Sequence, residues 1–135
     1  MKKFLTTILL LAISLFTIAS RAVELHLVAK MYQTRFDSGQ SWSEPVKCNI
    51  PIVAEIAEEK LTIYKDVGTI KYNLSYIGSA TDDNWEVLKF SGIDSFSTEC
   101  VVYIAVPNGN NNIEYALVFI INDLLNIRYI TVPNI

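Results

Sequence analysis

Between Thr98 and Val132 the chain reads as three consecutive β-strands: Cys100 to Val106, Tyr115 to Ile121, and Ile127 to Val132. Pro107-Asn108-Gly109-Asn110-Asn111-Asn112 separates the first two, and Asn122-Asp123 opens the second connection. Gly, Asn and Asp tolerate the left-handed backbone of tight reversals, while Val, Ile, Tyr and Phe suit a pleated surface. The middle strand is apolar on both faces, with Tyr115, Leu117, Phe119 and Ile121 on one and Ala116, Val118 and Ile120 on the other. An antiparallel strand of that kind has to be covered on both sides. It carries no acid, base, nucleophile or metal ligand.

The chain ahead of this segment repeats the same two-residue period. Val23, Leu25, Leu27, Ala29 and Met31 alternate with Glu24, His26, Val28 and Lys30, as in a half-buried strand. A turn-rich stretch, Asp37-Ser38-Gly39-Gln40-Ser41, leads to Trp42 and on through Ser43-Glu44-Pro45. Cys48, Ile50, Ile52, Ala54 and Ile56 share a face, and Pro51 falls on the other. Because proline lacks an N–H, this strand is expected at a sheet edge or at a bulge. A short helix over 51–60, with the proline in its first turn, is the rival reading. Strand is preferred because the alternation begins before Pro51. Ala57-Glu58-Glu59-Lys60 then connects to Leu61-Thr62-Ile63-Tyr64, and Asp66-Val67-Gly68 turns into Ile70, Tyr72, Leu74 and Tyr76. After a polar loop, Trp85 to Phe90 completes a set of eight strands.

Sequential strands usually pair with their neighbours. The fold class expected is therefore all-β, about eight antiparallel strands in a meander. Rolled up, they make a small lipocalin-like or calycin-like barrel, which removes exposed edges. A two-sheet β-sandwich uses the same pattern and is the alternative. In the barrel, Tyr72, Leu74, Tyr115 and Phe119 are the large side chains expected to point inward and fill it.

The first residues read as an export signal. Lys2 and Lys3 precede an uncharged apolar run, Phe4 to Ala19, and small residues around Ala19 and Ala22 offer cleavage sites. The run falls short of the roughly 20 apolar residues that span a bilayer. Residues 1–22 are thus expected to be a signal peptide, and 23–135 a single β-domain exported to the periplasm or the medium, with no stable membrane insertion. Of 11 basic residues, Lys2, Lys3 and Arg21 belong to the leader. The remainder carries eight basic residues against 14 acidic ones, a formal charge of −6. A scattered acidic surface argues against nucleic acid, which asks for a basic face, and against an anionic membrane surface.

Two cysteines follow the leader, Cys48 and Cys100. An even count in an oxidising compartment predicts a disulfide, and closing a loop of about 50 residues would stabilise the fold by roughly 4 kcal/mol in the chain-entropy account. The alternative is that Cys100, in an apolar strand, packs as a free thiol. With one histidine and two cysteines, a metal site would also need carboxylates, and no metal or cofactor is expected.

The run from Pro51-Ile52-Val53 through Lys60-Leu61-Thr62-Ile63-Tyr64 and the spacing of Phe90, Asp94 and Cys100 ahead of the final meander resemble small, mostly uncharacterised exported β-proteins of gut-type Gram-negative bacteria. That resemblance implies compartment and architecture only.

Candidates for chemistry are few. His26 lies on the polar face of its strand, and a catalytic role would need a nucleophile or carboxylate partner placed by the fold, to which no motif points. Asp82-Asp83 lacks the alternating ligands and closing Glu of a calcium loop, and Asp66 and Gly68 do not form a phosphate loop. Asn73-Leu74-Ser75 matches a glycosylation acceptor but falls within a strand. Aromatic residues carry the binding potential. Trp42, in a loop, and Trp85, at a strand start, can stack on a sugar, cap an apolar ligand or meet a partner. Trp42 is either a plug for the barrel end or a contact residue. The function expected is a non-enzymatic exported β-domain that binds a protein partner or a glycan, with a homodimer following if the second apolar face points outward. A lipocalin-like carrier of a small apolar ligand is the alternative. An envelope hydrolase or inhibitor has no residue constellation behind it.

Overall fold

The structure, a computed structural model, describes residues 24–109 and 112–134. The leader expected over 1–22 lies outside the described residues. Eight strands follow one another: β1 (Glu24–Arg35), β2 (Val46–Glu55), β3 (Lys60–Lys65), β4 (Gly68–Thr81), β5 (Trp85–Asp94), β6 (Glu99–Pro107), β7 (Ala116–Ile121) and β8 (Asn126–Pro133). Each pairs antiparallel with the next, and β8 returns to β1 from Leu27↔Pro133 to Arg35↔Asn126, closing a barrel. Closure distinguishes this from a sandwich and gives every strand a bonded neighbour on both sides. The expected all-β meander barrel is what the chain forms.

Alternation decides what is inside. Leu25, Leu27 and Ala29 of β1 meet Ile52 and Ala54 of β2, Leu61 and Ile63 of β3, Tyr72 and Leu74 of β4, Leu88 and Phe90 of β5, Val102 and Ile104 of β6, Val118 and Ile120 of β7, and Tyr129 of β8 in one buried cluster. An eight-stranded barrel is just wide enough for such side chains to fill. That width corrects two of the inward assignments. Tyr72 and Leu74 are inside, but Tyr115 and Phe119 lie on the outer face, and the smaller set Ala116, Val118 and Ile120 points in. The register explains the choice, since Val118 sits opposite the buried Tyr129 and Ala116 opposite Thr131. Cross-strand partners share a face, so Ala116 and Val118 take the inward side that Thr131 and Tyr129 already occupy.

The first strand runs past Met31, and a bulge between Ala29 and Met31 shifts its register with both β2 and β8. One extra residue inverts the parity, so Met31 faces outward and Tyr32 packs against the core instead. Pro51 pairs with Val28 on β1, while pairing of β2 with β3 covers only Ile52↔Ile63 to Glu55↔Lys60. The front half of β2 therefore has one bonded neighbour, and its proline stands where the second ladder ends. Polar side chains tie the reversals. Asp82, Asp94 and Asn122 each accept two backbone N–H groups in their own turns, and Asp37 accepts one.

Phe90 is fully buried at the centre of the barrel. Replacing it with alanine should cost about 3–5 kcal/mol of unfolding free energy, read as a lower urea midpoint at unchanged slope.

Candidate functional site

The apolar second face of the last strands is the outer wall of the barrel. Val101 and Tyr103 of β6, Leu117, Phe119 and Ile121 of β7, and Ile130 and Val132 of β8 are each half-buried there. One row crosses five strands in register: Lys89, Tyr103, Phe119, Arg128 and Gln33. Tyr103 meets Phe119 edge to face with centroids 6.3 Å apart, and the Lys89 ammonium lies 6.0 Å from the Tyr103 ring.

The loop between β1 and β2 folds back onto this wall. The Ser43 N–H donates to Thr34 O at 2.8 Å, the Thr34 N–H to Ser43 Oγ at 2.9 Å, and Gln33 Nε2 to Ser43 O at 3.0 Å. These bonds set Trp42 against Phe119, 6.0 Å between centroids, with the guanidinium groups of Arg35 and Arg128 at 4.1 and 4.6 Å from its ring. Both are cation–π distances. Arg128 Nε donates to Gln33 Oε1 at 3.0 Å, whereas Arg35 Nε is buried without a hydrogen-bond partner. Burial, and then the neighbouring Arg35 cation, lower the Arg128 pKa. Trp42 thus lies along the outer wall and not across the barrel end. Trp85 is on the same side, its ring 5.7 Å from Tyr115, and its backbone N–H donates to Asp82 Oδ1 at 2.7 Å. The two tryptophans mark opposite ends of one outer face.

A second feature is a half-open cleft of about 720 Å³ at the end of the barrel where β1 and β3 finish and β2 and β8 begin. One lip is the front of β2, Lys47 to Ile50, which is paired with β1 but not with β3, and the other is the β3–β4 turn, Lys65 to Val67. Tyr32, Ile127 and Tyr129 form its floor. Burial lowers the Lys65 pKa, and burial raises those of Tyr129 and Tyr72 well above the ordinary phenol value.

The expected disulfide is not formed. Cys48 and Cys100 are both free thiols. They lie on β2 and β6, four strands apart in an eight-stranded ring, so they face each other across a filled interior. Cys48 lines the cleft and its thiol approaches Ala29 O at 3.3 Å. Burial raises its pKa. Cys100 is buried, and burial followed by the nearby Asp94 carboxylate pushes it up to about 11.

His26 Nε2 is 2.8 Å from Glu24 Oε2, a carboxylate that the strand period places beside it. Both are about half exposed on the open outer surface, away from the cleft. Among the described residues no group of three or more His, Cys, Asp or Glu side chains is placed to hold a metal. Comparison of the chain with protein-family models, with curated proteins and with solved structures finds no match.

Two outcomes follow from the thiols. Protein denatured without reductant should titrate as two free thiols, with no mass change on reduction. The Cys100 pKa is raised on folding from about 9 to about 11, so the folded state binds its proton more tightly. That contribution is complete below pH 9 and is lost as the pH rises through 11. Urea midpoints should therefore fall across that window, and Cys100→Ala should flatten the fall.

Proposed function

We propose that this chain is a non-enzymatic binding domain of the cell envelope that docks another protein across the outer wall of β6, β7 and β8. The observation that carries this reading is the apolar patch over two neighbouring rows of that wall, Tyr103 beside Phe119 in one and Leu117 beside Ile130 in the other, with the charged side chains Lys89 and Arg128 at the two ends of the first row. An apolar patch with a polar rim is what interaction surfaces present. Tyr, Phe, Trp, Met and Arg, the types enriched at interface centres, are here as Tyr103, Phe119, Trp42, Met31 and Arg128. A protein suits the wall better than a glycan, because the Trp42 ring that would stack on a sugar already has two guanidinium groups over it.

The opposite side supports an aqueous setting. Lys60, Lys71, Asn73 and Ser75 are exposed along β3 and β4, and the interior is apolar. A membrane-spanning barrel has the reverse distribution, apolar around its whole perimeter with a polar lumen. The charged start and apolar run of the leader support export. The packed interior weighs against a carrier that encloses its ligand, since Phe90, Leu88, Ile104 and Tyr129 occupy that space.

The test is site-specific photocrosslinking in the native host. A benzophenone side chain in place of Leu117 or Ile130 should give a discrete adduct, and one in place of Ser75 should not. Equal labelling from both walls, or none from either, would sink the interface. Sedimentation of the purified domain tells whether the partner is a second copy.

A further inference from the structure

We propose that the open end of the barrel binds a single-chain amphiphile with an anionic head, its hydrocarbon chain in the cleft between β2 and β3 and its head at Lys47 and Lys65. This site is distinct from the outer wall and does not depend on that wall being an interface.

The cleft exists because the ladder between β2 and β3 stops at Ile52↔Ile63. Beyond that pair the two strands part, and residues 47–50 and 65–67 become facing lips. The space between them, about 720 Å³, falls in the range of small-ligand sites. Its deep surface is hydrocarbon and aromatic ring, from Ile50, Ile127, Tyr32 and Tyr129, the last two with centroids 6.4 Å apart. Its lips are cationic. Lys65 stands on one lip and Lys47 at the outer edge of the other, beside the outward Met31, against one carboxylate, Asp66, on a chain whose overall charge is negative. Neither lysine makes an ion pair among the described residues, and Lys65 is partly withdrawn from water. The remaining polar lining, Thr34 and Asn49 with the Cys48 thiol and the Tyr32 and Tyr129 hydroxyls, is uncharged. An apolar floor under unpaired cations matches a ligand with a hydrocarbon tail and a carboxylate or phosphate head.

The loop tips give a second, separate observation. Each of the four connections at this end carries one large, strongly exposed apolar side chain: Phe36 at 70%, Val67 at 95%, Phe96 at 77% and Leu124 at 79%. At the opposite end the described hairpin tips are polar, with Glu58, Asp83 and Asn84. The barrel is thus polarised along its axis, and its cleft opens at the apolar end. That arrangement orients the opening toward a boundary between water and hydrocarbon, where single-chain amphiphiles reside.

Dodecanoate, below its micellar range, is the probe. Native mass spectrometry of the domain should show one dodecanoate per chain. Alkylation of Cys48 by N-ethylmaleimide should slow as the cleft fills, with glutathione in the same tube as the control for the reagent. Dodecanol should bind about tenfold more weakly, the worth of a charge-assisted contact, and Lys47→Gln with Lys65→Gln should abolish that preference. An adduct that leaves Cys48 unprotected, no adduct at all, or equal affinity for dodecanol would overturn the proposal. Leu117→Lys should keep full protection even though it breaks the outer wall, so the two sites fail independently. Flotation with phosphatidylcholine vesicles bearing dodecanoate identifies the source of the ligand. Wild type floating, with Phe36→Asp, Phe96→Asp and Leu124→Asp together remaining behind, indicates uptake from a membrane. Protection of Cys48 without flotation indicates uptake from solution.

Discussion

Closure of β8 onto β1 is the constraint on which the rest depends. A meander of eight strands could stay open, but here β1 is bonded on both sides, and its bulge shifts the register with both neighbours at the same residues. A bulge bends and twists the strand that carries it, which a wall must do to meet itself. Once closed, the barrel has a single interior of fixed width. Every strand must divide its side chains between that interior and the outside, whatever their chemistry. β7 has apolar residues for both, so closure alone sends half of them to the surface.

Much of this was legible in the sequence, because a period of two is a direct statement about which residues share a face. All eight strands, the β1 face of Leu25, Leu27 and Ala29, and the turn roles of Asp, Asn and Gly follow from it. Parity in a strand apolar on both sides does not. For β7 the pattern is silent, and the answer comes from its register with β8, which sets Val118 and Ala116 opposite the inward Tyr129 and Thr131. Nor does alternation announce a bulge, so Met31 and Tyr32 exchange roles. The disulfide failed for a related reason. Cysteine count and compartment speak to redox chemistry, whereas bridging needs adjacency, and β2 and β6 are as far apart around the ring as two strands can be.

The candidate sites were harder to read. Trp42 stood out for its position in a loop, but its partners Arg35, Phe119 and Arg128 come from three strands spread over the chain. Only closure brings β1, β7 and β8 together beneath one loop. The apolar tips did leave a local trace, a lone Val67 between Asp66 and Gly68 and a lone Phe96 between two serines. Such residues are costly in an aqueous turn and stand out when loops are read for hydrophobicity. That all four crown the same end is a property of the meander, in which alternate connections lie at alternate ends.

The two surfaces share β1 and β8 yet use opposite faces of them. Tyr32, Ile127 and Tyr129 point to the cleft, while their neighbours Met31, Arg128 and Ile130 point to the wall. Alternation separates the two sets by one backbone thickness and no shared side chain. A substitution on the wall leaves the floor of the cleft its own residues and hydrogen-bonded ladder, and the converse holds. Communication between the sites would have to pass through a shift of the β1–β8 ladder itself. That ladder runs eight pairs from Leu27 to Arg35 and closes the barrel, so moving it would disturb the packing of Tyr129 and the layer around it. The geometry therefore favours two sites that act independently, with the strands between them serving as a rigid partition.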